Sequence, residues 1–199
     1  MNNFFKKIFK YKKEISLKEK SFLEIIENTK VSNIFDSFEK FSEISEVRYV
    51  GGCVRKILSE ENFDDIDLAT NINPKEIKDC LNNNNIKFFE TGIDHGTITA
   101  NIDNKNFEIT SLRKDIKTDG RHAVVEYTDD WTQDALRRDF TINAIYSDRQ
   151  GNLFDPCNGV KDLEDGLVKF IGNPDKRIKE DYLRILRYLR FFLNYSKQP

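Results

Sequence analysis

The 199-residue sequence predicts an α+β fold: a mixed, mainly antiparallel sheet flanked by helices, with a separate helical segment beginning near the C-terminus. Three observations lead to it. Short runs such as "EVRYV", "GTITANID" and "NFEITSL" alternate apolar and polar residues between turn-forming clusters, as half-buried strands do. Segments with apolar residues three and four apart, such as "VSNIFDSFEKF" and "NPKEIKDCL", interleave with them. The final run, "PDKRIKEDYLRILRYLRFFLNYS", keeps helical periodicity throughout.

In chain order, "LKEKSFLEIIEN" and "VSNIFDSFEKF" read as two helices from about Leu17 to Phe41. "EVRYVGG" is a strand that breaks at a glycine pair into the helix "CVRKILSE", and "DDIDLAT" is the next strand. Asn73 and Pro74 open a helix as N-cap and first helical residue. Strands follow over "IKFFET", "GTITANID" and "NFEITSL", the last two joined by the hairpin chemistry of "IDNKNF". Residues 113–130 are polar and weakly periodic and read as a mobile loop. "WTQDALRRDF" is helical, "TINAIYSD" and "NLFD" are strands, and "GVKDLEDG" is a short helix or turn. The closing helix carries an apolar stripe with little sequence after it to cover it.

A hydrophobic content of 38% supports a globular core. The chain is 33% charged but its net charge is only −2, so any attraction for an anion must come from local clusters. Cys53, Cys80 and Cys157 show no metal-type spacing and read as reduced thiols of a cytoplasmic protein. No apolar run is long enough to span a bilayer, which argues against a membrane partner. The basic, aromatic "MNNFFKKIFKYKKE" fits either a surface-touching arm or a frayed leader.

The chemistry concentrates in a few motifs. On a strand over "DDIDLAT", Asp65 and Asp67 project to one face while Ile66 and Leu68 face the core. Two carboxylates so close repel unless a cation neutralises them, and an all-oxygen pair suits Mg²⁺ with substrate phosphates. A solvated strand end is the alternative for these residues alone. Gly51 and Gly52 stand at a strand-to-helix turn where backbone N–H groups approach an anion, with Arg55 in the following turn. Glu108, between Phe107 and Ile109, offers a third carboxylate or an exposed edge residue. Together these features describe a two-metal phosphoryl-transfer site.

That constellation resembles the nucleotidyltransferase superfamily that includes DNA polymerase beta. "GGCVR", "DIDLAT", "FEITSLR", "DGRHA", "RRDFTINA", "DPCNGVKDL" and "RIKEDYLRILRYLRF" occur in the order seen in class II tRNA nucleotidyltransferases, the bacterial CCA-adding enzymes, and in bacterial poly(A) polymerases. The resemblance runs from about Glu46 to Phe192 and implies a polymerase-beta-like head over 46–172. A helical extension over 1–45 precedes it, and a helical neck starts at 173–199. It implies template-independent addition of C and A from CTP and ATP to a tRNA 3′ end. Poly(A) synthesis, CC- or A-specific addition, and an inactive nucleotide-binding fragment are the alternatives.

Position by position, Asp65, Asp67 and Glu108 would be the catalytic, metal-binding carboxylates, and Gly51, Gly52 and Arg55 would hold the triphosphate. Arg138 would contact the nucleotide, with Asp139 and Asn143 ordering the site. Asp181 and Arg184 would read the base, with Arg187 near phosphate or sugar. On a continuous helix Asp181 and Arg184 would share one face, as an ordinary surface ion pair also would. His95 falls in a hairpin turn with a structural role, and His122 in the loop that helps the family change from C to A addition. Lys56, "ILSEEN" and Cys157 depart from the family pattern without removing a carboxylate. The family's full enzymes continue into a body and tail beyond these 199 residues.

Overall fold

The computed structural model describes residues 29–119 and 122–197, with side chains outside 116–124. The helix expected over "LKEKSFLEIIEN" and the basic leader lie outside the described residues. The elements, in order, are α1 (Ser32–Phe41), β1 (Val47–Val50), α2 (Gly52–Leu58), β2 (Asp67–Thr70), α3 (Pro74–Asn83) and β3 (Lys87–Gly92). Then come β4 (Thr97–Ile102), β5 (Lys105–Ser111), β6 (Arg113–Asp119), β7 (His122–Tyr127) and α4 (Trp131–Arg137). The chain finishes with β8 (Tyr146–Ser147), β9 (Leu153–Phe154), α5 (Gly159–Asp165), α6 (Pro174–Glu180) and α7 (Leu183–Tyr195). Among the described residues none of these helices is long and apolar enough to cross a membrane.

The main sheet runs β3-β4-β5-β2-β1-β8-β9. Every neighbouring pair is antiparallel except β2 and β5, which run parallel. Alternation sends Tyr49 and Leu68 to one face, where Ile34 and Phe38 of α1 and Ile77 and Leu81 of α3 complete a dry core. Val50 and Ala69 face the other way, against Trp131 and Ala135 of α4 and Tyr146. A third cluster, Phe140, Ile142, Leu163 and Phe191, ties α7 to the segment after α4. The mixed sheet and its flanking helices are as the sequence predicts.

Local chemistry explains the boundaries. The Asn73 carboxamide accepts from the N–H groups of Lys75 and Glu76, and the Glu76 carboxylate accepts from the Asn73 N–H, closing a capping box with Pro74 behind it. Asp103 and Asn104 both take positive φ, 50° and 62°, which lets a two-residue turn follow the twist of β4 and β5.

Three expectations are corrected. The loop over 113–130 is a two-stranded ribbon, β6 paired antiparallel with β7. β6 is polar at every position but Ile116, so only β7, with Ala123, Val125 and Tyr127 in its sequence, carries the apolar alternation that marks a strand. "TINAIYSD" opens with a 3₁₀ turn, Thr141–Asn143, and only Tyr146–Ser147 is a strand. Asp162 Oδ2 accepts from the Thr141 hydroxyl at 2.8 Å and holds that turn. Finally, the last helix is two: at Asp181 the backbone is extended, φ −153° and ψ 107°, and its carboxylate accepts from the Leu183 N–H at 3.0 Å. A short aspartate side chain that bonds its own neighbouring backbone competes with the helical ladder there.

Candidate active site

Parallel pairing of β2 with β5 sets Asp67 directly beside Glu108 in register. Partners in register project to the same face, and the buried Leu68 and Ile109 that follow them point to the opposite one. The glycine turn after β1 stands over this edge. Gly51 has φ 69°, and a Cβ built on Gly52 would lie 3.9 Å from Asp67 Oδ2. Asp65 is exposed and lies just before β2, and burial alternates through Asp65, Ile66, Asp67 and Leu68. The Asp65 charge reaches Asp67. Burial pushes the Asp67 carboxyl above the usual range, Glu108 and then Asp65 push it further, and Arg138 and Arg55 oppose them.

Among the described residues no group of three or more His, Cys, Asp or Glu side chains is arranged to hold a metal ion by itself. Asp67, Glu108 and Asp65 make an open acidic edge of oxygen donors, in which burial and the neighbouring carboxylates disfavour the charge on Asp67. A hard divalent cation fits that donor set, because it relieves the repulsion and leaves room for phosphate oxygens.

Facing this edge is a cavity of about 590 Å³ lined by Gly51, Gly52, Asp67, Arg138, Asp139 and Asn143, with Asp181, Arg184 and Arg187 from the C-terminal helices. Arg55, Arg113 and Arg137 line it too, so arginines outnumber aspartates around the rim. A small polyanion suits such a charge pattern. Glu108 and Asp65 stand outside this lining, and His95 is exposed in the 3₁₀ turn Ile93–His95 between β3 and β4. The His122 side chain falls outside the described ones.

The cavity walls are wired together. Arg55 is buried, donates to the Asn143 carboxamide oxygen, and packs its guanidinium over the Phe191 and Tyr195 rings at 4.8 and 4.9 Å. The Asn143 amide donates to Asp139 Oδ1 at 3.0 Å, and Arg187 Nε donates to Asp139 Oδ2 at 2.7 Å. This line runs from α2 through the 3₁₀ turn to α7. Arg184 Nη1 donates to Glu180 at 2.6 Å and to the Arg177 carbonyl at 2.7 Å. Asp181 and Arg184 therefore meet at one cavity without sharing a helix face.

Sequence reasoning missed the group beneath Arg138. Asp134 is buried; its Oδ2 accepts from the Tyr146 hydroxyl at 2.7 Å and from Arg138 Nη2 at 3.0 Å. Its Oδ1 accepts from Arg137 Nε at 2.8 Å. Burial works against the Asp134 charge, but Arg138 and Arg137 prevail and draw its pKa down to about 2. Burial equally opposes the Arg138 charge, and Tyr146 and Asp134 overcome it. A signal was available: Asp134 shares a helical face with the buried Trp131 and Ala135, where an aspartate needs partners. Arg113, whose Nε and Nη1 are buried without a hydrogen bond, gave no such signal.

The protein-family model described as the poly A polymerase head domain matches residues 47–169. The mitochondrial CCA tRNA nucleotidyltransferase 1 of Homo sapiens is 49% identical over 158 residues, covering 79% of this chain and 36% of the relative. The CCA-adding enzyme of Lactobacillus delbrueckii subsp. bulgaricus is 35% identical over 176 residues, covering 85% of this chain and 43% of the relative. The chain thus spans well under half the length of these curated relatives. The Bacillus stearothermophilus CCA-adding enzyme, solved in complex with CTP, superposes with a TM-score of 0.73 at 27% identity, over 86% of this chain and 42% of that one. A tRNA nucleotidyltransferase solved with a primer tRNA and an incoming ATP analog gives a TM-score of 0.60 at 29% identity, over 76% of this chain and 43% of that one.

Proposed function

The chain belongs to the poly(A) polymerase head-domain family, and from that premise we propose that it is the catalytic head of a CCA-adding tRNA nucleotidyltransferase. It joins C and A from CTP and ATP to a tRNA 3′ hydroxyl and releases pyrophosphate. The observation that carries this reading is the single cavity that collects the glycine turn, Asp67, Arg138, Asp139, Asp181, Arg184 and Arg187. Relatives bound to CTP and to an ATP analog with primer tRNA support it. Residues 46–172 are read as the head, 1–45 as an extension and 173–199 as the start of the neck, around the matched span 47–169. The free thiols of Cys53, Cys80 and Cys157 accord with a reducing compartment, which we take as the cytoplasm; the relatives include a mitochondrial and a bacterial enzyme.

Transfer in this family is metal-dependent, and Asp65, Asp67 and Glu108 are the residues that would hold Mg²⁺. Bound there, Mg²⁺ supplies acidity to the attacking hydroxyl and charge for the leaving pyrophosphate. The protein's own part is placement. Gly51 and Gly52 let backbone N–H groups approach the phosphates, while Arg138 and Arg187 supply charge and Asp139 fixes Arg187. Asp181 accepts from the exocyclic amine of C or A, and Arg184 donates to the adjoining ring nitrogen. Arg184 Nη1 is engaged by Glu180, so its other N–H groups are the ones offered to the base. U and G reverse the polarity of that edge and leave buried groups unpaired, at roughly 1–3 kcal/mol each.

A product ladder from labelled CTP and ATP on tRNA lacking its 3′ end tests the proposal. Ordered addition of C, C and A is expected, with Arg184→Ala relaxing base choice. Tailing of any RNA with A alone reassigns the chain to poly(A) synthesis. Nucleotide binding with no primer extension makes it a binding fragment.

A further inference from the structure

We propose that Asp134 and Tyr146 form a buried clamp that orients Arg138, and with it Arg137, toward the nucleotide cavity, making Asp134 a positioning residue for triphosphate binding. The inference rests on the reading of the cavity as a nucleotide site and deepens it.

The two oxygens of Asp134 divide their work. Oδ2 receives Arg138 Nε at 3.2 Å and Nη2 at 3.0 Å, a two-point contact that fixes the guanidinium plane. Oδ1 receives Arg137 through Nε at 2.8 Å and Nη2 at 2.7 Å. The Tyr146 hydroxyl donates to Oδ2 at 2.7 Å and accepts from Arg138 Nε at 3.1 Å, closing a triangle of three groups. Tyr146 has no freedom to swing away, being fully buried and packed edge-on to Trp131 at 5.4 Å.

The clamp takes up one side of Arg138 and leaves the other. Nη1 has no hydrogen-bond partner among the described residues, and it lies 3.7 Å from where a Cβ of Gly51 would stand. The free edge of the arginine is thus presented at the glycine turn. An arginine side chain has several rotatable bonds, and holding it in place before the ligand arrives removes an ordering cost from binding. The Arg177 guanidinium, which donates to the carbonyls of Arg137 and Arg138, fixes the backbone of the same pair from the other side.

A phosphate contact present in both the bound and the reacting complex contributes to KM more than to kcat. The clamp touches no base, so its loss affects CTP and ATP alike. The test measures CTP and ATP dissociation constants by equilibrium titration, then steady-state addition to tRNA, for the full chain and for Asp134→Asn and Tyr146→Phe. For Asp134→Asn the expected result is a rise of roughly ten- to hundredfold in both dissociation constants, the scale of a lost hydrogen bond to a charged group. Tyr146→Phe, the milder change and the control for folding, raises both by roughly three- to tenfold, with kcat within about threefold of the parent.

Lower thermal midpoints with unchanged dissociation constants for the folded protein would make the triangle purely structural and overturn the proposal. A loss confined to one of the two nucleotides overturns it as well. Failure of the parent chain to bind either nucleotide removes the proposed function itself, a distinct outcome.

Discussion

Asp67, proposed above as a metal ligand, keeps its place at the sheet edge against the preference of the fold. Its folded pKa is raised, so the folded chain holds the Asp67 proton more tightly than the unfolded chain does. Its contribution therefore favours folding at pH below the ordinary aspartate value of about 3.9 and is lost as pH rises through the raised value. At neutral pH the ionised side chain works against stability. In the presence of a chelator, Asp67→Asn should melt at a higher temperature than the parent at pH 7, and the gain should vanish near pH 4. The same variant should lose transfer by a factor on the order of 10² or more. Calorimetry across pH checks the first claim and the labelled-nucleotide assay the second; equal midpoints at pH 7 would refute the repulsion argument. Asp67 was legible in the sequence because an acid beside apolar strand residues is conspicuous. Tyr146 was hidden, because a hydroxyl buried at the end of an aromatic ring leaves no mark in a pattern of apolar residues.

Elements differ in how plainly they announce themselves. The capping box of α3 was readable residue by residue, and Asn73→Ala should cost about 1 kcal/mol while leaving transfer rates unchanged. Gly159 is less conspicuous and more consequential. A Cβ there would stand 2.1 Å from the Thr141 carbonyl oxygen and 2.9 Å from Ile145 Cγ1. The alanine must displace the 3₁₀ turn that carries Asn143, so Gly159→Ala should lose roughly 1–3 kcal/mol and weaken nucleotide binding together. Melting and titration of both variants would show whether the effects separate this way; intact nucleotide affinity in Gly159→Ala would refute the link. The strands with one buried face were legible because alternation is how burial is written. The β6–β7 ribbon and the break at Asp181 were not, since β6 is polar almost throughout and the break depends on a single side chain bonding its own backbone.

At the scale of the whole molecule, α7 plays two parts. Phe191 enters the third cluster and backs Arg55, while Leu186, Leu189 and Leu193 are 64%, 50% and 82% exposed. An apolar stripe of that kind marks a contact surface or an association hazard. Replacing Leu186 and Leu189 with lysine should shift stability by no more than about 0.5 kcal/mol. It should also reduce the binding of a hydrophobic dye and any concentration-dependent self-association measured by light scattering. A large fall in melting temperature would mean that the stripe is packed after all. The C-terminal helices thus belong to the site as much as the sheet does.

The lone parallel pairing in the sheet has a consequence for how the molecule comes into being. Residues 67 and 108 become neighbours only after the chain has travelled out through α3 and back along β3 and β4. During synthesis the first acid leaves the ribosome well before the second, and the excursion between them must close before the two can meet. A nascent chain interrupted before β5 lacks the paired carboxylates altogether, and the arginines that line the cavity emerge later still.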